Sequence, residues 1–435
     1  MRISVIGCGY LGAVHAAAMA ELGHDVVGVD VDERKIDALR AGSAPFFEPG
    51  LPELLSSGVS SGRLTFTTDF ADVAGSTVHF VAVGTPQRPG ELAADLSYVE
   101  AAIDSLLPHL SAGDLVVGKS TVPVGTAARL AERVRTVGAE LAWNPEFLRE
   151  GFAVKDTLEP DRLVYGIPAG DTGERARALL DEVYASILAR DTPLVVTDYA
   201  TAELVKVSAN AFLATKISFI NAMAEIAEAT GADVTTLADA IGFDARIGRR
   251  FLNAGVGFGG GCLPKDIRAF TARAEELGKG EAVAFLKEVD KINLRRRDRV
   301  VELVTASLSD DTAGRKVAVL GLAFKPESDD IRDSPALDVA TRLGKLGIRV
   351  VATDPEAIDN ARRVNPALEY VATADEALQD AEVVLIVTEW REYRDLDPER
   401  TGTLVSGRTI IDARNVLDPA AWRAAGWTYR GLGRP

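Results

Sequence analysis

The residues best suited to chemistry cluster between Phe251 and Asp266. Five glycines fall from Gly255 to Gly261, and Cys262, Lys265 and Asp266 follow. Glycine at that density is expected to expose backbone N–H groups and to let a ligand approach closely. A thiol beside a cation ionises readily and attacks carbon, so Cys262 reads as a nucleophile. A helical pattern precedes these glycines, so they are not a dinucleotide fingerprint. Lys206 and Asn210 are four residues apart on a predicted helix and share a face among Val205, Val207, Ala209 and Phe212. Two readings stand for Lys206: a group that moves a proton or binds a sugar hydroxyl or phosphate, or a lysine that snorkels to water.

A second constellation opens the chain. Gly7-Cys8-Gly9-Tyr10-Leu11-Gly12 follows a strand-like run and starts a helical pattern. Its glycines permit a tight turn, backbone approach to a pyrophosphate and close helix–strand packing. Asp30 ends the next strand, where a carboxylate accepts from a ribose 2′-hydroxyl and repels a 2′-phosphate; NAD is therefore favoured over NADP. Lys35 either reaches the adenosine end or is a solvated helix lysine. Cys8, inside the turn, reads as a packing residue. Thr85 and Thr121 follow two further strands, where they line a cofactor crevice or simply make turns. Residues 144–151 put Glu146, Arg149 and Glu150 in one loop at the same edge. That loop either holds or activates water or is an ordinary polar loop. Lys325 and Arg332 offer positive charge after a later strand, for a phosphate or for solvent.

These groups need a scaffold. Short β-branched runs at 3–6, 26–29, 78–83, 115–117, 141–143, 163–167 and 194–196 alternate with helical spacing such as 11–22 and 98–107. Such alternation predicts a parallel sheet of βαβ units. Residues 201–230 lack Gly and Pro and precede Gly231, which predicts one long helix with a glycine stop. A linker is expected at 309–314. Strand patterns then restart at 317–320, 350–353, 383–387 and 409–411, with a helix at 337–346. Ile3-Ser4-Val5-Ile6-Gly7 is echoed by Val317-Ala318-Val319-Leu320-Gly321, and Asp30 by Asp354. The expected fold is α/β: two Rossmann-like doubly wound domains, 1–197 and 309–435, joined by a helical central region at 198–308. Gly321-Leu322-Ala323-Phe324-Lys325 is not a complete fingerprint, so the second domain is not expected to bind a dinucleotide in the same way.

Composition narrows the classes. The chain has 435 residues, 48 basic and 64 acidic side chains and a net charge of −16. Two or three domains are expected at this length. The acidic balance argues against nucleic acid and membrane surfaces as partners. Two cysteines give no disulfide framework. The scattered His15, His24, His79 and His109 give no metal-ligand spacing, so no metal is expected. No apolar run reaches the roughly 18 residues of a membrane span. No leader pattern is read at the start, and a cytoplasmic setting is expected.

In order, GxGYxG at 7–12, GTP at 84–86, STVPVGT at 120–126, NPEFLREG at 144–151, ELVK at 203–206, ANAFLATKISFIN at 209–221, RIG at 246–248, GFGGGCLPKD at 257–266 and GLAFK with DIRDSP at 321–335 resemble the UDP-glucose/GDP-mannose dehydrogenase family. Segments 209–216 and 246–248 look more like its UDP-glucose branch. The resemblance implies twofold oxidation of the C6 alcohol of UDP-glucose to UDP-glucuronate, with two NAD consumed. It implies attack by Cys262 to give a thiohemiacetal, then a thioester that water hydrolyses. It assigns Lys206, Asn210 and Asp266 to polarising the C6 oxygen and moving protons or water, and Thr121 and Glu146 to the hydrolytic step. Matched cofactor contacts are Gly7, Gly9, Tyr10, Leu11, Gly12, Asp30, Lys35, Thr85, Thr121, Glu150, Lys265 and Arg332. Matched nucleotide-sugar contacts are Phe147, Leu148, Arg149, Glu150, Lys206, Asn210, Phe251, Leu252, Asn253, Ala254, Gly255, Gly259 and Lys325. Arg246 matches a residue given to a neighbouring subunit, which implies a homodimer or larger homo-oligomer. The alternatives are the same chemistry on GDP-mannose or another nucleotide hexose, and a non-catalytic NAD or nucleotide-sugar sensor. Gly261 and Leu263 depart from a frequent Ser and Phe.

Overall fold

The computed structural model describes residues 1–308 and 312–435. Its first sheet contains β1 (Arg2–Ile6), β2 (Asp25–Val29), β3 (Leu64–Thr67), β4 (Val78–Val81), β5 (Leu115–Gly118), β6 (Glu140–Trp143), β7 (Leu163–Gly166) and β8 (Leu194–Thr197). The strand order is β3-β2-β1-β4-β5-β6-β7-β8. Every pairing is parallel except one antiparallel contact, Trp143 with Gly166. Alternate side chains feed two cores. Ile3 and Val5, Val78 and Phe80, and Leu115 and Val117 join one apolar cluster. Ile6, Val81 and Val116, from the same strands, join another. Burial on both faces is why these strands read as near-continuous apolar runs.

The predicted restart is present. A second parallel sheet contains β9 (Lys316–Leu320), β10 (Arg349–Thr353), β11 (Glu369–Tyr370), β12 (Val383–Ile386), β13 (Thr409–Asp412) and β14 (Thr428–Gly431). Its order, β11-β10-β9-β12-β13-β14, repeats that of the first six strands. Each sheet therefore has a switch point, at β1/β4 and at β9/β12, beyond whose strand ends a ligand crevice forms.

The long helix spans Tyr199–Thr230, 32 residues, and starts two residues before the predicted 201. The Asp198 carboxylate accepts from the Thr201 N–H and hydroxyl, both at 2.9 Å. Gly231, at φ +75°, ends the helix as expected. The run at 78–83 leaves the sheet after Val81. β3, β11 and β14 were not foreseen; they are short and carry mixed polar residues. Of the predicted linker, 309–311 lies outside the described residues. By internal contacts the chain forms two compact units. One is Met1–Ala209 with Ala272–Gly278, the other Asn210–Thr271 with Lys279–Pro435. No described helix is long and apolar enough to cross a membrane.

Candidate functional site

The first unit builds a dinucleotide cradle at its switch point. Gly7 has φ +89°, and a Cβ there would meet Val83 Cγ1 at 2.6 Å. Gly12 packs so closely that a Cβ would lie 1.7 Å from the Gly7 carbonyl oxygen. Gly9 is different: nothing lies within 4 Å of a Cβ built there, and no side chain caps the helix Tyr10–Glu21 that it precedes. Open space at an uncapped helix amino end fits a diphosphate. The Asp30 carboxylate accepts from Cys8 N at 2.8 Å, Asp32 N at 3.0 Å and Lys35 Nζ at 2.8 Å. A carboxylate has about four acceptor positions, so one remains for a ribose hydroxyl. Burial, with Asp30 adding, pushes the Cys8 thiol far up, in keeping with a packing role.

Tyr10 does more than follow Gly9. Its hydroxyl donates to Glu48, which is 2% exposed. Glu48 also accepts from Gly151 N at 2.6 Å and Ala153 N at 2.7 Å. The fingerprint helix is thus tied to the end of the 144–151 loop. Burial and Glu48 push the Tyr10 hydroxyl well up. Nothing in the sequence pattern singled out Glu48.

The loops after β4 and β5 are stitched together. Thr85 Oγ1 donates to Thr121 O at 2.8 Å, and Ser120 Oγ to Val83 O at 2.6 Å. Buried Glu203, on the long helix, accepts from Gly125 N at 2.8 Å and Ala127 N at 2.7 Å, capping the helix Thr126–Arg135. Its carboxyl is pushed up by burial, against the pull of those N–H groups. Glu146 lies three residues after β6 (Glu140–Trp143). Its Oε1 accepts from Phe147 N at 2.7 Å and Leu148 N at 3.0 Å, and its Oε2 faces Lys119 Nζ at 3.2 Å. Arg149 forms a bidentate pair with Asp156 at 2.8 and 2.7 Å. Phe147 carries Arg162 at 3.8 Å and Lys206 at 5.4 Å from its ring centroid. Lys206 therefore rests on an aromatic face, a cation–π arrangement. Glu150 is 9% exposed. Leu148 packs against the apolar core.

In the second unit, Cys262 immediately precedes the helix Leu263–Glu276 and is exposed. Its carbonyl accepts the first helical bond, from Asp266 N at 3.0 Å. Asp266 is 2% exposed. One of its oxygens takes Asn210 Nδ2 at 2.6 Å, the other Lys265 Nζ at 2.5 Å. Four groups singled out from the sequence thus meet in one unit.

The glycine loop corrects an expectation. It does not display its backbone to solvent; residues 254–260 are buried. The N–H groups of Gly255, Val256, Phe258 and Gly260 go to Asn221 Oδ1 (2.8 Å), Ala413 O (2.8 Å), Asn293 Oδ1 (2.7 Å) and Arg332 O (2.9 Å). The glycines are there for close packing. A Cβ at Gly257 would lie 2.4 Å from Asn293 Oδ1, at Gly259 2.3 Å from Asp333 O, and at Gly261 2.3 Å from Arg332 Cζ. Leu252 and Ala254 join a small core with Ile220 and Ala224. Asn253 is exposed and accepts from Arg249 at 2.8 Å. Phe251 holds φ +66°, an unusual value for its type.

Around the second switch point, Arg332 pairs with Asp330 at 2.7–2.9 Å. Lys325 Nζ lies 5.6 Å from the Phe324 ring centroid. Arg414, overlooked in the sequence, donates to Val387 O at 2.8 Å, Gly257 O at 3.0 Å and Phe324 O at 3.0 Å. It lies two residues after β13 (Thr409–Asp412), a strand-end position that could have flagged it. Asp354, the counterpart of Asp30, is saturated. It accepts from Leu322 N (2.7 Å), Ala323 N (2.9 Å), Glu356 N (3.0 Å), Ala357 N (2.9 Å) and the Trp390 indole (3.1 Å). No acceptor position is left for a ribose. Arg246 is 89% exposed and pairs with Asp244. Among the described residues no group of His, Cys, Asp and Glu could hold a metal ion.

Residues 1–188 match the model described as UDP-glucose/GDP-mannose dehydrogenase family, NAD binding domain. Residues 200–295 match its central domain and 318–419 its UDP binding domain. The chain is 43% identical over 440 residues to a UDP-glucose 6-dehydrogenase of Rhizobium meliloti, covering 100% of both. It is 41% identical over 442 residues to the UDP-glucose 6-dehydrogenase TuaD of Bacillus subtilis, covering 100% of this chain and 93% of that one. Among solved structures, a UDP-glucose dehydrogenase from Pyrobaculum islandicum matches with a TM-score of 0.90 at 42% identity, covering 100% of this chain and 98% of that one.

Proposed function

The chain belongs to the UDP-glucose/GDP-mannose dehydrogenase family, and on that premise we propose that it oxidises C6 of UDP-glucose twice, to UDP-glucuronate. The broader activity, NAD-dependent dehydrogenation of a nucleotide sugar, comes with the family. UDP-glucose is the sugar nucleotide named for the full-length relatives. We keep the three-part division at 1–197, 198–308 and 309–435 as part of this reading.

The observation that carries the mechanism is the Cys262 helix start with Asp266 clamped between Asn210 and Lys265. NAD, when bound, accepts a hydride from C6 in each oxidation. Asn210 and Lys206 polarise the C6 oxygen, and Asp266 with its two partners moves the alcohol proton. The Cys262 sulfur then bonds to C6 of the aldehyde, giving a thiohemiacetal. Loss of the second hydride leaves a thioester, which water hydrolyses near Thr121 and Glu146. Covalent capture retains a reactive aldehyde between the two oxidations. The positive end of the helix Leu263–Glu276 stabilises negative charge on the sulfur. Arg246, exposed on its own chain, serves the site of a second copy, so a homodimer is the smallest working assembly.

The test is stoichiometry. Purified protein with limiting UDP-glucose and excess NAD is expected to form two NADH per sugar, and Cys262→Ala to form no UDP-glucuronate. One NADH per sugar at completion, or full turnover by Cys262→Ala, contradicts the proposal.

A further inference from the structure

One helix of the second unit grips the chain on both sides of Cys262. Asp290, Asn293 and Arg297 lie on the helix Phe285–Ser307, three and four residues apart, so they share a face. Every partner named below belongs to the same unit. Asn293 is fully buried. Its Oδ1 accepts from Phe258 N at 2.7 Å, and its Nδ2 donates to Phe258 O at 2.9 Å. The side chain thus takes both backbone groups of one residue, as a neighbouring strand would, four residues before Cys262. Asp290 holds the other side. It accepts from Arg268, six residues after Cys262, through Nε at 2.9 Å and Nη2 at 3.0 Å. Asp333 closes the ring: its carboxylate accepts from Arg268 Nη1 at 3.2 Å and Arg297 Nη2 at 2.8 Å.

Only Gly259, Gly260 and Gly261 separate Phe258 from Cys262. Glycine restricts its own backbone least of all residues, so this stretch cannot hold a thiol in one place by itself. Its stiffness has to come from the groups packed around it and from the anchors at either end. Resting on the thiohemiacetal reading above, we propose that Asn293 is a positioning residue for Cys262. Together with Asp290 it fixes both approaches to the thiol, so that the sulfur captures the aldehyde before it escapes. In the step concerned, the sulfur bonds to C6 and the C=O π bond breaks. The thiol proton ends on the former carbonyl oxygen, and nothing is oxidised or reduced until the second hydride leaves the adduct. Asn293 touches none of these atoms and acts through Phe258.

Asn293→Leu tests this in the full-length protein with limiting UDP-glucose, excess NAD and semicarbazide, which condenses with free aldehyde and releases water. Capture should slow about 100-fold, the scale of a misplaced reacting group. NADH formed per sugar consumed should then fall from two toward one, and the semicarbazone of the C6 aldehyde should appear by mass spectrometry. The readout is a ratio. A merely structural role would reduce the amount of working enzyme and leave that ratio at two, with no semicarbazone, and this result overturns the proposal. Asp290→Ala, at a side chain 20% exposed, releases the second anchor. It should leak aldehyde to a smaller extent and decides the matter if Asn293→Leu does not fold; two NADH per sugar with no semicarbazone there also overturns the proposal. The unaltered protein separates the two claims. If it fails to give two NADH per UDP-glucose, the reaction reading falls; if it succeeds and the variants release no aldehyde, the role of Asn293 falls.

Discussion

Glu48 offers the sharpest quantitative test of how the cofactor turn is held. Its carboxylate receives three donors: the Tyr10 hydroxyl, Gly151 N at 2.6 Å and Ala153 N at 2.7 Å. In Glu48→Gln one oxygen becomes an NH2. The Tyr10 hydroxyl can turn to accept from it, but a backbone N–H cannot. One buried N–H is then left without a partner, which costs about 1–3 kcal/mol. Glu48→Ala strands the Ala153 N–H and the Tyr10 hydroxyl proton, while Gly151 N keeps the Tyr10 oxygen at 3.1 Å, and costs about 2–6 kcal/mol. Tyr10→Phe removes a single donor and leaves the carboxylate its two backbone partners, for about 0.5–1.5 kcal/mol. The expected order of destabilisation is Glu48→Ala, then Glu48→Gln, then Tyr10→Phe, read as urea midpoints and slopes by circular dichroism. Because Gly151 follows Glu150, Glu48→Gln should also raise KM for NAD about tenfold, or 1.4 kcal/mol. Equal midpoints for Glu48→Gln and Tyr10→Phe, with KM for NAD unchanged in both, would refute the reasoning that the carboxylate holds two structural N–H groups.

Four further outcomes are expected. Gly9→Ala should leave thermal stability unchanged yet weaken NAD binding in titration calorimetry at least tenfold, or about 1.4 kcal/mol, because the space above Gly9 is open. Gly12→Ala, whose Cβ would strike the Gly7 carbonyl, should instead lower the melting temperature by the equivalent of about 1–3 kcal/mol. Asn210→Ala removes the 2.6 Å bond to Asp266 and should lower kcat about 100-fold with little change in KM, measured by NADH formation. His15 is buried with no partner for either ring nitrogen among the described residues, and burial, with Lys119 and His24 adding, pushes its imidazole well down. As pH falls the unfolded chain takes up the proton first, at about 6.5, so this contribution to stability is complete above that pH and declines below it. His15→Phe should shallow the acid limb of a urea-midpoint profile from pH 8 to 5, and an unchanged limb would show that His15 does not contribute.

What could be read in the sequence followed from periodicity and from strand ends. Both sheets announce themselves because strands covered on two faces are almost wholly apolar, as Val383-Val384-Leu385-Ile386 is. The fingerprint, Asp30 and the Lys265–Asp266 pair were legible because those groups are neighbours in sequence or sit at a strand end, whereas the bond from Asn210 to Asp266 spans 56 residues. Long-range partners were not. Glu48 meets Gly151 and Ala153 across more than a hundred residues, and no local pattern encodes that pairing. Lys119 had a visible mark, a charge directly after the fully buried strand Leu115–Gly118, yet its three acceptors, Asn144, Glu146 and Tyr184, come from other elements. The glycine loop was misread for a physical reason. Composition shows that side chains are absent but not whether ligand or protein fills the space, and here Asn293, Asp333 and Arg332 fill it.

The saturation of Asp354 has a consequence for redesign. The two halves share strand order and an acid at the same strand end, so a second redox centre could seem one glycine motif away. It is not, because the indole of Trp390 occupies one acceptor position of that carboxylate and four backbone N–H groups occupy others. An engineer who restores only the glycines obtains a cradle with no place to hold the sugar hydroxyls. Replacing Trp390 alone would not help either, because the four backbone N–H groups already match the roughly four acceptor positions of the carboxylate; the backbone around Leu322 and Glu356 would have to be rebuilt as well.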